Sequence, residues 1–135
     1  MRVCGWGHTF DFTYIDDVVN GIVRLVEALE EGLTAPPPLQ FVTGEGTTLG
    51  ELAALANALG CERSSLVEDA ARDYDVTHFV GDPGRAQKLL SWRADVDLKQ
   101  GVQRLIRAFA AGRAAVFDRE RQGIDAAFGR DALSD

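Results

Sequence analysis

Residues 71–78 read A-R-D-Y-D-V-T-H, a stretch that holds an arginine, a tyrosine, two aspartates and a histidine. Arg72 suits a phosphate group, because its planar fork stays charged and can make paired hydrogen bonds to phosphate oxygens. Tyr74 and Asp75 add a phenol and a carboxylate. His78 is one of two histidines, the side chains that titrate near neutrality without perturbation. A structural reading competes with the chemical one. Arg72 can be neutralised by Asp69, Asp73 or Asp75 on a solvated loop, and His78 in T-H-F-V-G-D fits a short strand as a structural or surface residue.

Other chemistries find less support. Neither His8 nor His78 has a metal-like partner at helical or hairpin spacing, and no Ser-His-Asp arrangement can be argued. Asp16-Asp17 reads as helix capping rather than as a pair of catalytic carboxylates. Cys4 and Cys61 are too far apart for a C-x-x-C pair and read as reduced thiols. Gly44, Gly46 and Gly50 tempt a dinucleotide reading, since they sit between an expected strand and an expected helix. Their spacing is G-x-G-x-x-x-G, not G-x-G-x-x-G. A tight turn followed by the capping box Thr48-x-x-Glu51 accounts for them.

The elements that must position the 71–78 stretch are legible from periodicity. Phe10, Phe12 and Tyr14 alternate with Asp11 and Thr13, the pattern of a half-buried strand. Asp16 is expected to end that strand and cap a helix over 17–29, with Asp17 adding negative charge at its positive end. Val18, Ile22, Leu25, Val26 and Leu29 recur at helical spacing, Val19 and Val23 widen the apolar face, and Gly32 closes the run. Upstream, M-R-V-C-G-W-G-H-T reads as a strand end and a turn. Three prolines at 36–38 exclude helix and deliver a strand over 39–43.

Further along, a helix carries Leu52, Leu55, Ala56 and Leu59 and stops at Gly60. S-S-L-V-E-D and T-H-F-V are expected short strands. Asp82 and Pro83 start a short helix with Ala86, Leu89 and Leu90, and Trp92 is expected to cover its end. Asp97 with Gln100 begins another helix bearing Val102, Leu105, Ile106 and Phe109. Phe117, Ile124 and Phe128 sit at helical spacing around D-R-E-R-Q and predict a final amphipathic helix.

Four stretches, in order, carry a family resemblance. F-D-F-T-Y-I-D-D-V-V-N-G-I at 10–22 resembles the Arg-Asp-Phe-x-Tyr-Val-Asp-Asp segment of extended short-chain dehydrogenases/reductases, the nucleotide-sugar epimerase and dehydratase family. Q-F-V-T-G-E-G-T-T-L-G-E-L-A at 40–53 is similar to its Asn-x-Gly-x-Gly-x-x-x-Ser-x-x-Glu-Leu stretch. A-R-D-Y-D-V-T-H resembles its Arg-Pro-Gly-Asp-Val. G-D-P-G-R-A-Q-K-L-L-S-W-R-A-D-V-D-L-K-Q-G-V at 81–102 is similar to its Asp-x-x-Lys-Ala-x-x-x-Leu-Gly-Trp ending.

The resemblance implies the C-terminal, substrate-side portion of such an enzyme: a mixed α/β fold, mostly helical with a few short strands, without the N-terminal Rossmann cofactor unit. Residues 1–112 would form that domain, and 113–135 an added helix and tail. Arg72 then matches the arginine that contacts the diphosphate of a nucleotide-sugar, and Asp75 the acid that follows it. Tyr74 and His78 complete the implied substrate-binding set. Asp73-Tyr74 replaces the family's Pro-Gly, and Phe10 stands where the family has a second phosphate arginine. Tyr14 is followed four residues on by Val18, and Tyr74 by His78, so the family's Tyr-x-x-x-Lys pair is not found. No catalytic residue, metal or cofactor is assigned to this chain alone, whereas the full-length family uses NAD or NADP. Redox inactivity is expected.

Composition sets the remaining bounds. Fourteen Lys and Arg against 21 Asp and Glu leave a formal charge of −7, which argues against nucleic acid. No run is long enough for a membrane span, and a cytoplasmic protein is expected. The implied partner is a nucleoside diphosphate sugar or a related small molecule. A free-standing isomerase or cyclase that reuses the cleft without cofactor, with His78, Asp75 or Tyr74 as acid or base, is an alternative, and an assembly or scaffold subunit is another. Homo-oligomerisation is expected, because the resemblance implies that the 17–29 helix and the 39–43 strand pack on a cofactor domain absent from the sequence.

Overall fold

Thr9 and Phe10 form a central two-residue strand from which the rest of the fold can be placed. The structure, a computed structural model, describes residues 1–61 and 63–112. In chain order it contains β1 (Arg2–Cys4), β2 (Thr9–Phe10), α1 (Ile15–Glu30), β3 (Thr47–Thr48), α2 (Leu49–Leu59), β4 (Val67–Asp69), β5 (His78–Phe79) and α3 (Gly84–Leu90). A fourth helix, α4, covers residues 98–112. The chain divides into two compact units, Met1–Val102 and Gln103–Asp135; in the second, residues 103–112 are described and helical. The expected helix carrying Phe117, Ile124 and Phe128, and the 113–135 segment as a whole, lie outside the described residues. No helix among the described residues is long and apolar enough to cross a membrane.

Two small sheets organise the first unit. β1 pairs with β4 in parallel, Val3 opposite Glu68, and Arg2 bridges to Asp69 at 3.1 Å across the same ladder. β2 lies between β3, antiparallel, and β5, parallel, so Phe10 stands opposite Thr47 on one side and Phe79 on the other. Between β1 and β2 the chain turns at Gly5, whose φ of +69° favours glycine, and the His8 N–H closes the turn on the Gly5 carbonyl at 2.8 Å.

The core gathers around Trp92, which is 1% exposed, with Ala86 and Leu90 of α3. Leu25, Ala28, Leu33, Leu39, Phe41 and Ala94 pack against this cluster. The Phe41 ring meets Trp92 edge-on, centroids 5.0 Å apart. The indole N–H of Trp92 donates to the Asp17 carbonyl at 3.0 Å, so the expected cover over the end of α3 is also a tie to the start of α1.

Three expectations need correction. The strand over 10–14 shrinks to Thr9–Phe10: after the Asp11 N–H donates to Phe79 O, the Asp11 carboxylate is drawn to another loop and the ladder ends. Asp16 does not cap α1. Tyr14 holds the N-cap position without a side-chain bond, and both aspartates lie in the first turn. Asp17 is buried there because its Oδ2 accepts the Val96 N–H at 3.0 Å. Residues 39–43 form no strand: the Thr43 N–H donates to the Asp11 carboxylate rather than to a ladder, and the Gln40 side-chain Oε1 accepts from the Asp82 N–H.

Other local readings match the structure. Thr48 and Glu51 form a complete capping box on α2, which ends at the C-cap Gly60. Asp97 Oδ1 accepts the Gln100 N–H at the start of α4. At α3 the N-cap position falls to Pro83 rather than to the expected Asp82, whose Oδ1 accepts the Gly84 N–H from just outside the helix.

Candidate functional site

Residues 70–77 form a loop that enters β5, and the parallel pairing of β5 with β2 fixes where that loop stands. The Thr9 N–H donates to Thr77 O and the Asp11 N–H to Phe79 O, each at 3.0 Å, which sets His78 beside Thr9. At the tip the Asp75 N–H closes a turn on Arg72 O at 3.1 Å. That turn lays the Arg72 guanidinium 6.0 Å from the centroid of the Tyr74 ring. Arg72, Tyr74 and His78 are exposed and Asp75 is half-buried.

Arg72 is not neutralised as the structural reading anticipated. Asp69 pairs with Arg2, and among the described residues Arg72 has no ion pair. The loop therefore presents a cation resting on an aromatic face. Such a group can receive phosphate oxygens without first breaking a salt bridge. Arg72 and Tyr74 are brought together directly, Asp75 shapes the turn through its backbone, and His78 stands apart at the sheet.

Two carboxylates escaped the sequence reading as parts of the framework. Asp11 Oδ1 accepts the Thr43 N–H at 2.9 Å and the Thr43 hydroxyl at 2.7 Å, and Oδ2 accepts the Gly44 N–H at 2.8 Å. Partial burial alone would raise its pKa, but these bonds and one from Thr13 outweigh it, and the carboxyl titrates below its ordinary value. Asp17 is the other. An acid inside an aromatic alternation, followed by a Thr-Gly turn, was the available signal for Asp11. Nothing local signalled that Asp17 would be buried.

The Gly44–Gly50 turn does not fit a dinucleotide pyrophosphate. At the start of α2 the Leu49 N–H donates to His8 O, the Gly50 N–H to Trp6 O, and the Glu51 N–H to Thr48 Oγ1. The amides that would cradle a phosphate are occupied, and the Glu51 carboxylate adds negative charge at that helix end. Among the described residues no group of three or more His, Cys, Asp or Glu is arranged to hold a metal ion.

Cavities among the described residues lie elsewhere. One of about 520 Å³ between α1 and α3 is lined by residues that include Arg24, Glu27, Glu31 and Ser91. Another of about 260 Å³ is lined by Pro38, Gln40, Asp82 and Arg85. Arg24 spans the first, its Nη1 donating to the Leu90 and Ser91 carbonyls where α3 ends.

No protein-family model matches the chain. It is 30% identical over 101 residues to the CDP-abequose synthase of Salmonella typhimurium, covering 72% of this chain and 33% of that protein. Among solved structures it is similar to UDP-glucose 4-epimerase of Thermotoga maritima, with UDP-glucose, at a TM-score of 0.74 and 23% identity over 83% of this chain and 35% of that one. An epimerase from Methanothermobacter thermautotrophicus gives a TM-score of 0.77 at 22% identity, over 87% and 34% of the two chains. The Bordetella bronchiseptica enzyme WbmF, in complex with NAD+ and UDP, gives 0.63 at 25% identity, over 90% and 35%. The chain spans about a third of the length of these relatives.

Proposed function

We propose, from the premise that the chain is a portion of an extended short-chain dehydrogenase/reductase of the nucleotide-sugar epimerase and dehydratase family, that it binds the nucleoside diphosphate part of a nucleotide-sugar and carries out no hydride transfer by itself. The observation that carries this reading is the Arg72 guanidinium on the Tyr74 ring, without an ion pair among the described residues, in the loop that enters β5. UDP-glucose or UDP accompanies two of the similar structures, and a diphosphate offers Arg72 the paired oxygens that its fork matches. Asp75 closes the turn that carries the guanidinium, Tyr74 supplies the ring beneath it and a phenol for a ribose or sugar hydroxyl, and His78, in β5, is assigned to the same ligand by the family resemblance alone. NAD belongs to the chemistry of the whole enzyme, in which it takes and returns a hydride. At the start of α2 the amides that a pyrophosphate would need are already bonded to His8, Trp6 and Thr48.

Calorimetric titration of the chain with UDP-glucose and with UDP tests the reading. Saturable binding of both, weakened on the order of tenfold or more by Arg72→Ala, is expected, since a hydrogen bond to a charged group contributes about 1.5 to 3 kcal/mol. Binding that ignores Arg72→Ala refutes the diphosphate role of Arg72. Absence of saturable binding to either ligand refutes the function.

A further inference from the structure

Asp73 and Tyr74 are the two central residues of the turn that the Asp75 N–H closes on Arg72 O at 3.1 Å. Tyr74 stands out from that tip, 79% exposed, more than any other large apolar side chain among the described residues. The Arg72 guanidinium covers one side of its ring, 6.0 Å from the centroid. Among the described residues the ring has no aromatic neighbour and the phenol has no hydrogen bond. A lone exposed ring is ordinary on a protein surface. Here the ring is half of a pair whose backbone a closed turn fixes, with one face taken and the other open.

The surroundings of the ring point to a small polar ligand rather than to a protein face. Asp73 and Asp75 flank Tyr74 in the chain and Arg72 lies on it, so the ring stands among ionised groups. Surfaces that pack on protein are depleted of charge at their centre. A charged, hydrated molecule with one flat apolar part suits such a tip.

We infer, resting on the reading that Arg72 meets the diphosphate, that the open face of Tyr74 is the platform on which the nucleobase of the same ligand stacks. The dimensions agree. The guanidinium carbon lies 6.0 Å from the ring centroid on one side, and a stacked base lies about 3.5 Å away on the other. The two contacts are thus no more than about 9.5 Å apart. In a nucleoside diphosphate the ribose separates base from phosphate, so one molecule reaches both contacts by passing the edge of the ring, where the phenol meets the ribose. Stacking is tolerant of base identity, because every base offers a π face. Tyr74 therefore supplies affinity for the base without choosing uracil over cytosine.

Calorimetric titration of the full chain with UDP, CDP and inorganic pyrophosphate, each also on Tyr74→Leu and Tyr74→Phe, tests the inference. Pyrophosphate offers Arg72 the same two phosphates without a base. UDP and CDP are expected to bind about tenfold or more tighter than pyrophosphate, and within about fivefold of each other. Tyr74→Leu should remove that advantage and Tyr74→Phe should keep most of it. In proton NMR the uracil ring protons of UDP should move upfield on binding to the parent chain and not on binding to Tyr74→Leu. Equal affinity for UDP and pyrophosphate overturns the platform and leaves the Arg72 reading standing, as does an advantage of UDP that survives Tyr74→Leu. A wider gap between UDP and CDP overturns it too, since the base would then be read by its edge. Absence of UDP binding overturns both readings.

Discussion

Asp11 Oδ1 accepts both the backbone N–H and the hydroxyl of Thr43, at 2.9 and 2.7 Å, from 32 positions away in the chain. With the Gly44 N–H on Oδ2, one carboxylate organises the turn that leads into β3 and closes it onto the end of β2. β2 is also the strand that orders β5 and the Arg72 loop. Asp11 thus acts on the candidate site from a distance, by fixing the strand that the site hangs from.

Replacing Asp11 removes the charge-assisted bonds to Thr43 and Gly44. Asp11→Ala is expected to destabilise the chain by about 2 kcal/mol, and Asp11→Asn to recover part of the loss because one acceptor oxygen remains. Chemical denaturation with urea measures both. Equal stability of Asp11→Ala and the parent chain would show that Thr43 and Gly44 are held by something else.

Acid should weaken the fold through two carboxylates. The pKa of Asp11 is lowered despite partial burial, and that of Glu51 is lowered by the backbone and side-chain bonds from Thr48. A group with a depressed folded pKa contributes stability above its unfolded value, which is lost as pH falls through the folded one. The urea midpoint is therefore expected to be steady with respect to these groups above about pH 5 and to decline below about pH 4. In Asp11→Asn that acid decline should be shallower.

Asp17 should behave as a structural acceptor. Asp17→Ala leaves the buried Val96 N–H without its partner, at a cost of about 1 to 3 kcal/mol, whereas Asp17→Asn keeps an oxygen in place and should cost less. Proton exchange at the Val96 amide reports the same contact locally. Fast exchange is expected in the alanine variant alone.

Gly21 sets helix propensity against packing. Alanine in a helix interior is favoured over glycine by about 1 kcal/mol, but a Cβ at Gly21 would run into the Phe41 ring, which is held by Trp92. Overpacking typically costs about 1 to 3 kcal/mol, so Gly21→Ala should destabilise. A thermal scan showing a raised Tm would mean that Phe41 can move aside.

The chain alone is expected not to take up NAD or NADH, since the donors at the start of α2 are already bonded. Calorimetry with either nucleotide should give no saturation tighter than roughly 100 μM, or about 5.5 kcal/mol. Tighter binding would require those amides to be released from His8, Trp6 and Thr48.

What the sequence determined by itself was local. The capping box at Thr48 and Glu51, the close of α2 at Gly60, the anchoring by Trp92 and the apolar repeats of α1 follow from bonds and periodicities within a few residues. Four motifs in order also made the family legible. Tertiary structure decided what depended on distant partners. Asp11 and Asp17 became acceptors for Thr43, Gly44 and Val96, distant donors that the fold brings to them; for the buried Val96 N–H, shielded from water, such a partner is required. The same pairing turned the expected 39–43 strand into an unladdered segment. It also decided that Arg2, not Arg72, would meet Asp69, because the parallel register of β1 on β4 brings Cys4 opposite Asp69 and Arg2 within its reach. Among the described residues that register leaves Arg72 without an ion pair, and no spacing within the 71–78 stretch could have specified it.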